Sequence, residues 1–214
     1  MQSHLQHIQP LQPQAFNYSL DWRFLLPITD MGKLLIAFED DTAFSRTLEH
    51  IGVSLPNQLS FPDFPQKKKS QAHALVLPFG LSARWVGAHP VDQIELYRSI
   101  RGWIDPGGYV LVGFNNSWYS LPGAHSKYHP STPQRVADQL HNAGFKSIEI
   151  FGAIPKLSIP EYIFHLEPQA VYFALRHRFR RKPVVLNVLR SLSRISAWTS
   201  IPSFLPCYFA VAVA

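Results

Sequence analysis

Cysteine is almost missing from this chain. Its one cysteine, Cys207, excludes an internal disulfide and leaves no cysteine set for a zinc site. Long apolar runs are missing too: none approaches the roughly 18 consecutive apolar residues of a membrane-spanning helix. Glycine is scarce beside proline, eleven against eighteen, which predicts stiff connections. No G-x-x-x-x-G-K-[ST] loop is present, which excludes a P-loop. Ser82, in "GLSARW", lacks the G-x-S-x-G setting of a hydrolase nucleophile. The opening "MQSHLQHIQPLQPQ" has neither a basic start nor an apolar core, so residues 1–16 are expected to be a flexible polar lead-in. The cytoplasm is the expected compartment.

What is present describes a globular domain. Apolar residues make up 46% and charged residues 16% of 214, enough for one sizeable core. Apolar runs at 33–38, 72–81 and 109–114 read as strands buried on both faces. A weak strand is expected near 53–61, an alternating one at 145–152 and a final one at 207–214. The intervening segments carry helical spacing. Phe44, Leu48 and Ile51 make one face, ended by Gly52. Ile94, Tyr97, Ile100 and Ile104 make another, with Pro90 at its first position. Thr132 and Pro133 suit the N-cap and first turn of a helix that Gly144 ends. Pro168 opens a further helix, and "VVLNVLRSLSRISAW" reads as the last. Strands alternating with helices give an α/β domain over 17–214.

The run "YRSIRGWI", "DPGG", "YVLVGF", loop, "TPQRVADQLHNAGF", strand resembles the second half of class I S-adenosylmethionine-dependent methyltransferases. "AHALVLPFGLS" stands where that family has its fourth strand, and "CYFAVAVA" where it has its antiparallel seventh. The resemblance implies a Rossmann-like methyltransferase fold: a mostly parallel seven-stranded sheet with helices on both faces, six strands parallel and 207–213 antiparallel. It also implies S-adenosylmethionine as cofactor. The candidate contacts are Glu39, Asp40 and Asp41 in the first turn, Asn57 at the second strand, and Pro78 and Phe79 after the fourth.

Here the chain departs from the family. The family's first turn is glycine-rich so that backbone can approach the ligand. This one reads "FEDDT", whose three acids would repel the methionine carboxylate. The second strand offers Asn57 and Gln58 where a ribose-binding acid is expected. Binding of the cofactor is therefore doubtful. The loop 115–131 lies at the carboxyl end of the sheet, where α/β folds hold ligands. Its His125, His129 and Tyr119 are the candidate catalytic groups, a histidine serving as base for an acceptor hydroxyl. A metal site is not expected, because His125 and His129 lack a third ligand.

The net charge of +6 is uneven: seven arginines and lysines and no acid follow Glu167. A solvated helix face is the plain account of them. An anionic membrane or a nucleic acid is the sharper one. Val185, Leu189, Leu192 and Ile195 form an apolar face expected to pack within the protein or a protein interface. Taken together, the leading expectation is a methyltransferase-fold protein with an eroded cofactor site, acting as a non-catalytic partner or substrate-binding subunit beside a protein partner. The alternatives are an active O- or N-methyltransferase with a small-molecule or peptide acceptor, and a peripheral membrane or nucleic-acid binder.

Overall fold

The computed structural model describes residues 21–28, 33–38, 42–50, 58–59, 72–82, 93–119, 128–192 and 203–214. Seven strands form one sheet: β1 (Leu34–Ala37), β2 (Gln58–Leu59), β3 (Ala72–Leu77), β4 (Ile104–Asn115), β5 (Lys146–Lys156), β6 (Ile159–His165) and β7 (Cys207–Val213). Their order is β2-β1-β3-β4-β7-β5-β6. The helices are α1 (Thr42–His50), α2 (Gln93–Arg101), α3 (Pro133–Asn142), α4 (Pro168–Arg178) and α5 (Pro183–Leu192), with a short 3₁₀ helix at Asp21–Leu25.

The apolar strands are central because both their faces are covered. Every residue of β1 is buried, as is β3 apart from His73. Alternate residues feed two cores. Leu35, Leu75, Val110, Val112 and Tyr208 meet Tyr97 and Ile100 of α2 and Val136 and Leu140 of α3. Leu34, Ile36, Val76, Leu111 and Phe209 meet Phe44 and Leu48 of α1, and Trp22 of the 3₁₀ helix. Helices therefore lie on both faces. The expected cap of α3 is present: the Thr132 hydroxyl accepts from the Arg135 N–H at 3.3 Å, and Gly144 takes φ 93° just past the end.

β7 lies between β4 and β5 and is antiparallel to both. This inserted, reversed last strand is the arrangement that the resemblance implied. The sheet is nonetheless mixed to a greater degree than expected. β6 is a second antiparallel strand, joined to β5 by a turn at Leu157 and Ser158, so five strands run one way and two the other. Pro155 and Pro160 break the sequence pattern there, yet both are tolerated. They pair with each other beside a register shift, Pro160 on the strand that ends the sheet and Pro155 just past the last β5–β7 pair.

"DPGG" has the composition of a turn, yet it is an irregularity inside β4 rather than a turn before it. Ala72 pairs with Ile104 and Ala74 with Tyr109, so residues 105–108 bulge out. The Gly107 N–H donates to the Ala214 carbonyl at 3.2 Å, and the Ala214 N–H donates to that of Gly108 at 2.8 Å. Ile104 thereby leaves the helical face assigned to it and joins the strand.

Candidate functional site

The topology itself marks a place for ligands. From β1 the chain moves to β2 on one side and later to β3 on the other, so the direction reverses between β1 and β3. Open α/β sheets take ligands outside the carboxyl ends of the strands at such a point. Phe38 follows β1 there, and Pro78, Phe79 and Gly80 follow β3.

Two glycines hold the second of these segments in place. Gly80 has φ 90°, and its N–H donates to the Leu77 carbonyl at 3.1 Å, closing a tight turn. A Cβ on Gly113 of β4 would lie 2.2 Å from the Pro78 carbonyl oxygen, and one on Gly80 would lie 2.5 Å from that of Gly113. The turn thus rests directly on the backbone of β4.

Aromatic rings fill the reversal point. Phe38 meets Phe44 of α1 edge-on with centroids 4.9 Å apart, and Phe44 meets Phe79 in the same manner at 4.9 Å. Phe79 meets Tyr128 at 5.4 Å. Phe38 and Phe44 are fully buried, while Phe79 and Tyr128 are half-buried. Contacts of this geometry add about 0.5–1.5 kcal/mol each beyond the area they bury. The row is a continuous apolar plug from β1 to the returning end of the loop after β4.

That loop is tied down at both ends. Asn116 is fully buried, and its Nδ2 lies 2.8 Å from the Ser203 and Leu205 carbonyl oxygens and 3.1 Å from the Tyr208 hydroxyl. Its Oδ1 accepts from the Trp118 N–H at 3.1 Å. At the other end, Ser82 bridges Tyr128, and the His129 N–H donates to the Leu81 carbonyl at 2.8 Å. Ser131 N–H donates to the Asn115 carbonyl at 2.9 Å, which brings the two ends together.

Of the residues singled out in the sequence, Phe79 is part of the aromatic row and Pro78 is the buried residue beneath Gly113. His129 lies elsewhere. It lines a cavity of about 10 Å³ together with Gln93 and Tyr97 of α2, Ser131, and Gln139 of α3. There Gln139 donates to the Gln93 side chain, and the Ser131 hydroxyl has no partner among the described residues. Burial raises the Tyr97 phenol above its ordinary pKa. The cavity has room for about one water and none for a substrate. Tyr119 ends a 3₁₀ turn, Ser117–Tyr119. Glu39, Asp40, Asp41, Asn57 and His125 lie outside the described residues. Among the described residues no three His, Cys, Asp or Glu side chains converge as a metal site would require. Cys207 is core: its thiol donates to the Ala153 carbonyl at 3.0 Å, and burial pushes its pKa up to about 12.

Of the four rings only Phe79 stands among the candidate contacts: in the sequence Phe38 ends an apolar run, Phe44 belongs to a helical face, and Tyr128 is one aromatic of the loop 115–131. Their signal is faint, because each ring comes from a different segment and only the fold aligns them. Asn116 stood in the sequence as one more polar loop residue.

The strand order, with its reversed strand between β4 and β5, defines a Rossmann-like fold of the methyltransferase type. No family model matches the chain, and no curated protein matches it. Among solved structures it is similar to a SAM-dependent methyltransferase from Archaeoglobus fulgidus, 13% identical, covering 91% of both chains at a TM-score of 0.47. It is also similar to phosphoethanolamine N-methyltransferase 2 of Haemonchus contortus, solved with phosphomonomethylethanolamine and S-adenosylhomocysteine. That likeness, at 13% identity and a TM-score of 0.46, covers 91% of this chain and 51% of the Haemonchus chain. The chain thus spans about half the length of that enzyme. A SAM-dependent methyltransferase from Thermotoga maritima is 11% identical, with 89% of this chain and 84% of that one covered at a TM-score of 0.45. No described helix is long and apolar enough to cross a membrane.

Proposed function

We propose that this chain is a methyltransferase-fold protein that has given up S-adenosylmethionine turnover and acts as a non-catalytic partner or substrate-binding subunit, in the cytoplasm and beside a protein partner. The observation that carries the proposal is the aromatic row from Phe38 through Phe44 and Phe79 to Tyr128. A nucleoside at the reversal point would have to displace buried rings, and the sequence supplies Glu39, Asp40 and Asp41 where the cofactor's carboxylate would approach. Each unmet polar contact of a buried ligand costs on the order of 1–3 kcal/mol, and 1.4 kcal/mol is a factor of ten in affinity. Two or three such losses take a micromolar ligand to millimolar.

Calorimetry of the full chain with S-adenosylmethionine and with S-adenosylhomocysteine tests this. No heat of binding is expected up to high micromolar ligand. A micromolar dissociation constant for either would overturn the proposal.

A second reading, an active O- or N-methyltransferase acting on a small molecule or peptide, is favoured by one feature. Phe79 and Tyr128 are only half-buried, and exposed ring faces can stack on a purine. Against it, the one candidate base with a described side chain, His129, lines the small cavity beside α2 and α3. If the second reading holds, Phe79→Ala weakens cofactor binding; under the proposal there is no binding to weaken.

A further inference from the structure

The basic segment builds a cavity that the switch-point site does not use. Between β6 and the α4–α5 turn lies an open cavity of about 370 Å³, lined by Glu161, Tyr162, His177, Arg178 and the Arg180–Lys182 turn. This is the size range of ligand sites. Arg178 is 3.5 Å from Glu161, its only acidic neighbour in the lining. Arg180, Arg181 and Lys182 are exposed, so the wall carries an excess of positive charge. The Tyr162 hydroxyl and His177 Nδ1, 2.7 Å apart, share a hydrogen bond that fixes the remaining wall.

Apolar side chains stand exposed on the two helices that flank these cations. Phe173, stacked on the His177 ring at 6.0 Å, is 67% exposed. Val184 and Val188, one turn apart on α5 and just past Lys182, are 75% and 52% exposed. The cause is the placement of α5. Half-buried Val185 and Leu186 join α4 in a small cluster with Val171 and Phe179 that also takes in Phe164 of β6. Of the face expected to pack away, Val185 is half-buried, while the Leu189 and Leu192 side chains and Ile195 lie outside what is described.

We infer that the α4–α5 corner docks on an anionic lipid surface, with the cavity taking lipid phosphate and Phe173, Val184 and Val188 entering the headgroup boundary. Charge complementarity selects the partner. A cationic rim with adjacent apolar side chains is what an interfacial anchor presents, since the charges are drawn to anionic headgroups and the apolar groups leave water. A soluble phosphate compound would satisfy Arg180 to Lys182 but leave the three apolar side chains in water. A single-stranded nucleic acid would need exposed rings among the cations, and Phe179, the ring within the run, is part of the α4–α5 cluster. The anchor acts whether or not the switch point binds a cofactor.

The test is co-sedimentation of the full chain with phosphatidylcholine vesicles, with and without phosphatidylglycerol, at low and at physiological salt. Binding is expected only with phosphatidylglycerol, and weaker at the higher salt. Arg180→Glu, Arg181→Glu and Lys182→Glu together should weaken it by about 100-fold or more, at about fivefold per basic residue lost from the surface. Phe173→Ser with Val184→Ser should weaken it at both salts and leave the salt dependence unchanged. Both variants should melt with the wild type, as the altered side chains are exposed. The inference is overturned by absence of vesicle binding or by charge-reversed protein binding as well as wild type. It is equally overturned if pyrophosphate or a single-stranded oligonucleotide binds and vesicles do not.

Discussion

Gly113→Ala isolates the contact that positions the switch-point turn. The new Cβ would lie 2.2 Å from the Pro78 carbonyl oxygen, 2.9 Å from its carbon and 3.0 Å from the Phe209 ring. Two of these three atoms are backbone, so no rotamer change relieves the contact, and β3 and β4 must separate by about 1 Å to restore van der Waals distance. Overpacking in a core costs about 1–3 kcal/mol and more where backbone must move, so about 3 kcal/mol is the expected loss. For a domain of this size that lowers the melting temperature by about 6–12 °C. Urea unfolding followed by the fluorescence of buried Trp22 and Trp103 measures it. Gly107→Ala is the control. Gly107 has φ 81°, but a methyl group added there would meet nothing within 4 Å, so only the left-handed backbone is charged, at about 1–2 kcal/mol. Near-ultraviolet circular dichroism should also change for Gly113→Ala, because Phe79 rides on the displaced turn. A Gly113→Ala protein no less stable than Gly107→Ala would refute the close approach of the turn to β4.

Asn116→Ala should cost about 2–4 kcal/mol in urea unfolding, since it strands the Ser203 and Leu205 carbonyls and the Trp118 N–H at once. A loss under about 1 kcal/mol would show that the loop is held by other contacts. Cys207 predicts a pH dependence. Below about pH 9 the thiol is protonated in both states; above it the unfolded chain loses its proton first, so stability falls by up to about 1.4 kcal/mol per pH unit until the native thiol titrates at about 12. Tyr97, its pKa also raised by burial, adds a fall of the same sign at higher pH. Cys207→Ala should remove the earlier part of the decline. An unchanged profile between pH about 9 and 10 would count against burial of a neutral thiol.

Much of the fold was legible because burial on both faces leaves a plain trace. "LLIA" and "AHALVL" read as central strands, and Thr132, Pro133 and Gly144 marked both ends of α3. Where local chemistry and tertiary context disagreed, the sequence misled. Pro155 and Pro160 argue against strands in isolation, yet an edge hairpin accommodates both. Asp105 to Gly108 has the composition of a turn but is held in β4 by hydrogen bonds from a segment more than a hundred residues away. In "PVVLNVL" helical spacing puts Val185 on the apolar face and leaves Val184 and Val188 off it, and in the structure Val185 is half-buried while the other two are exposed. The switch-point row was the least legible part, for Phe38, Phe44, Phe79 and Tyr128 share no spacing. Only strand order brings them together.

The place of β7 has a consequence for how the sheet is made. β4 pairs with β3 and β7, and β5 with β6 and β7, so this strand alone joins the two blocks of the sheet among the described residues. Until residues 207–213 exist, β4 and β5 are both open edges, rich in unpaired amide groups and flanked by apolar side chains. A ribosome adding about 5–20 residues per second needs about 5–20 s to travel from the end of β4 to β7. Through that interval the nascent chain carries the open edge of β4, and once β5 is made at Lys156 that of β5 as well, and a third strand could occupy either, its own or a neighbour's. Synthesis speed and chaperone cover across this window then bear on how much of the protein reaches its native sheet.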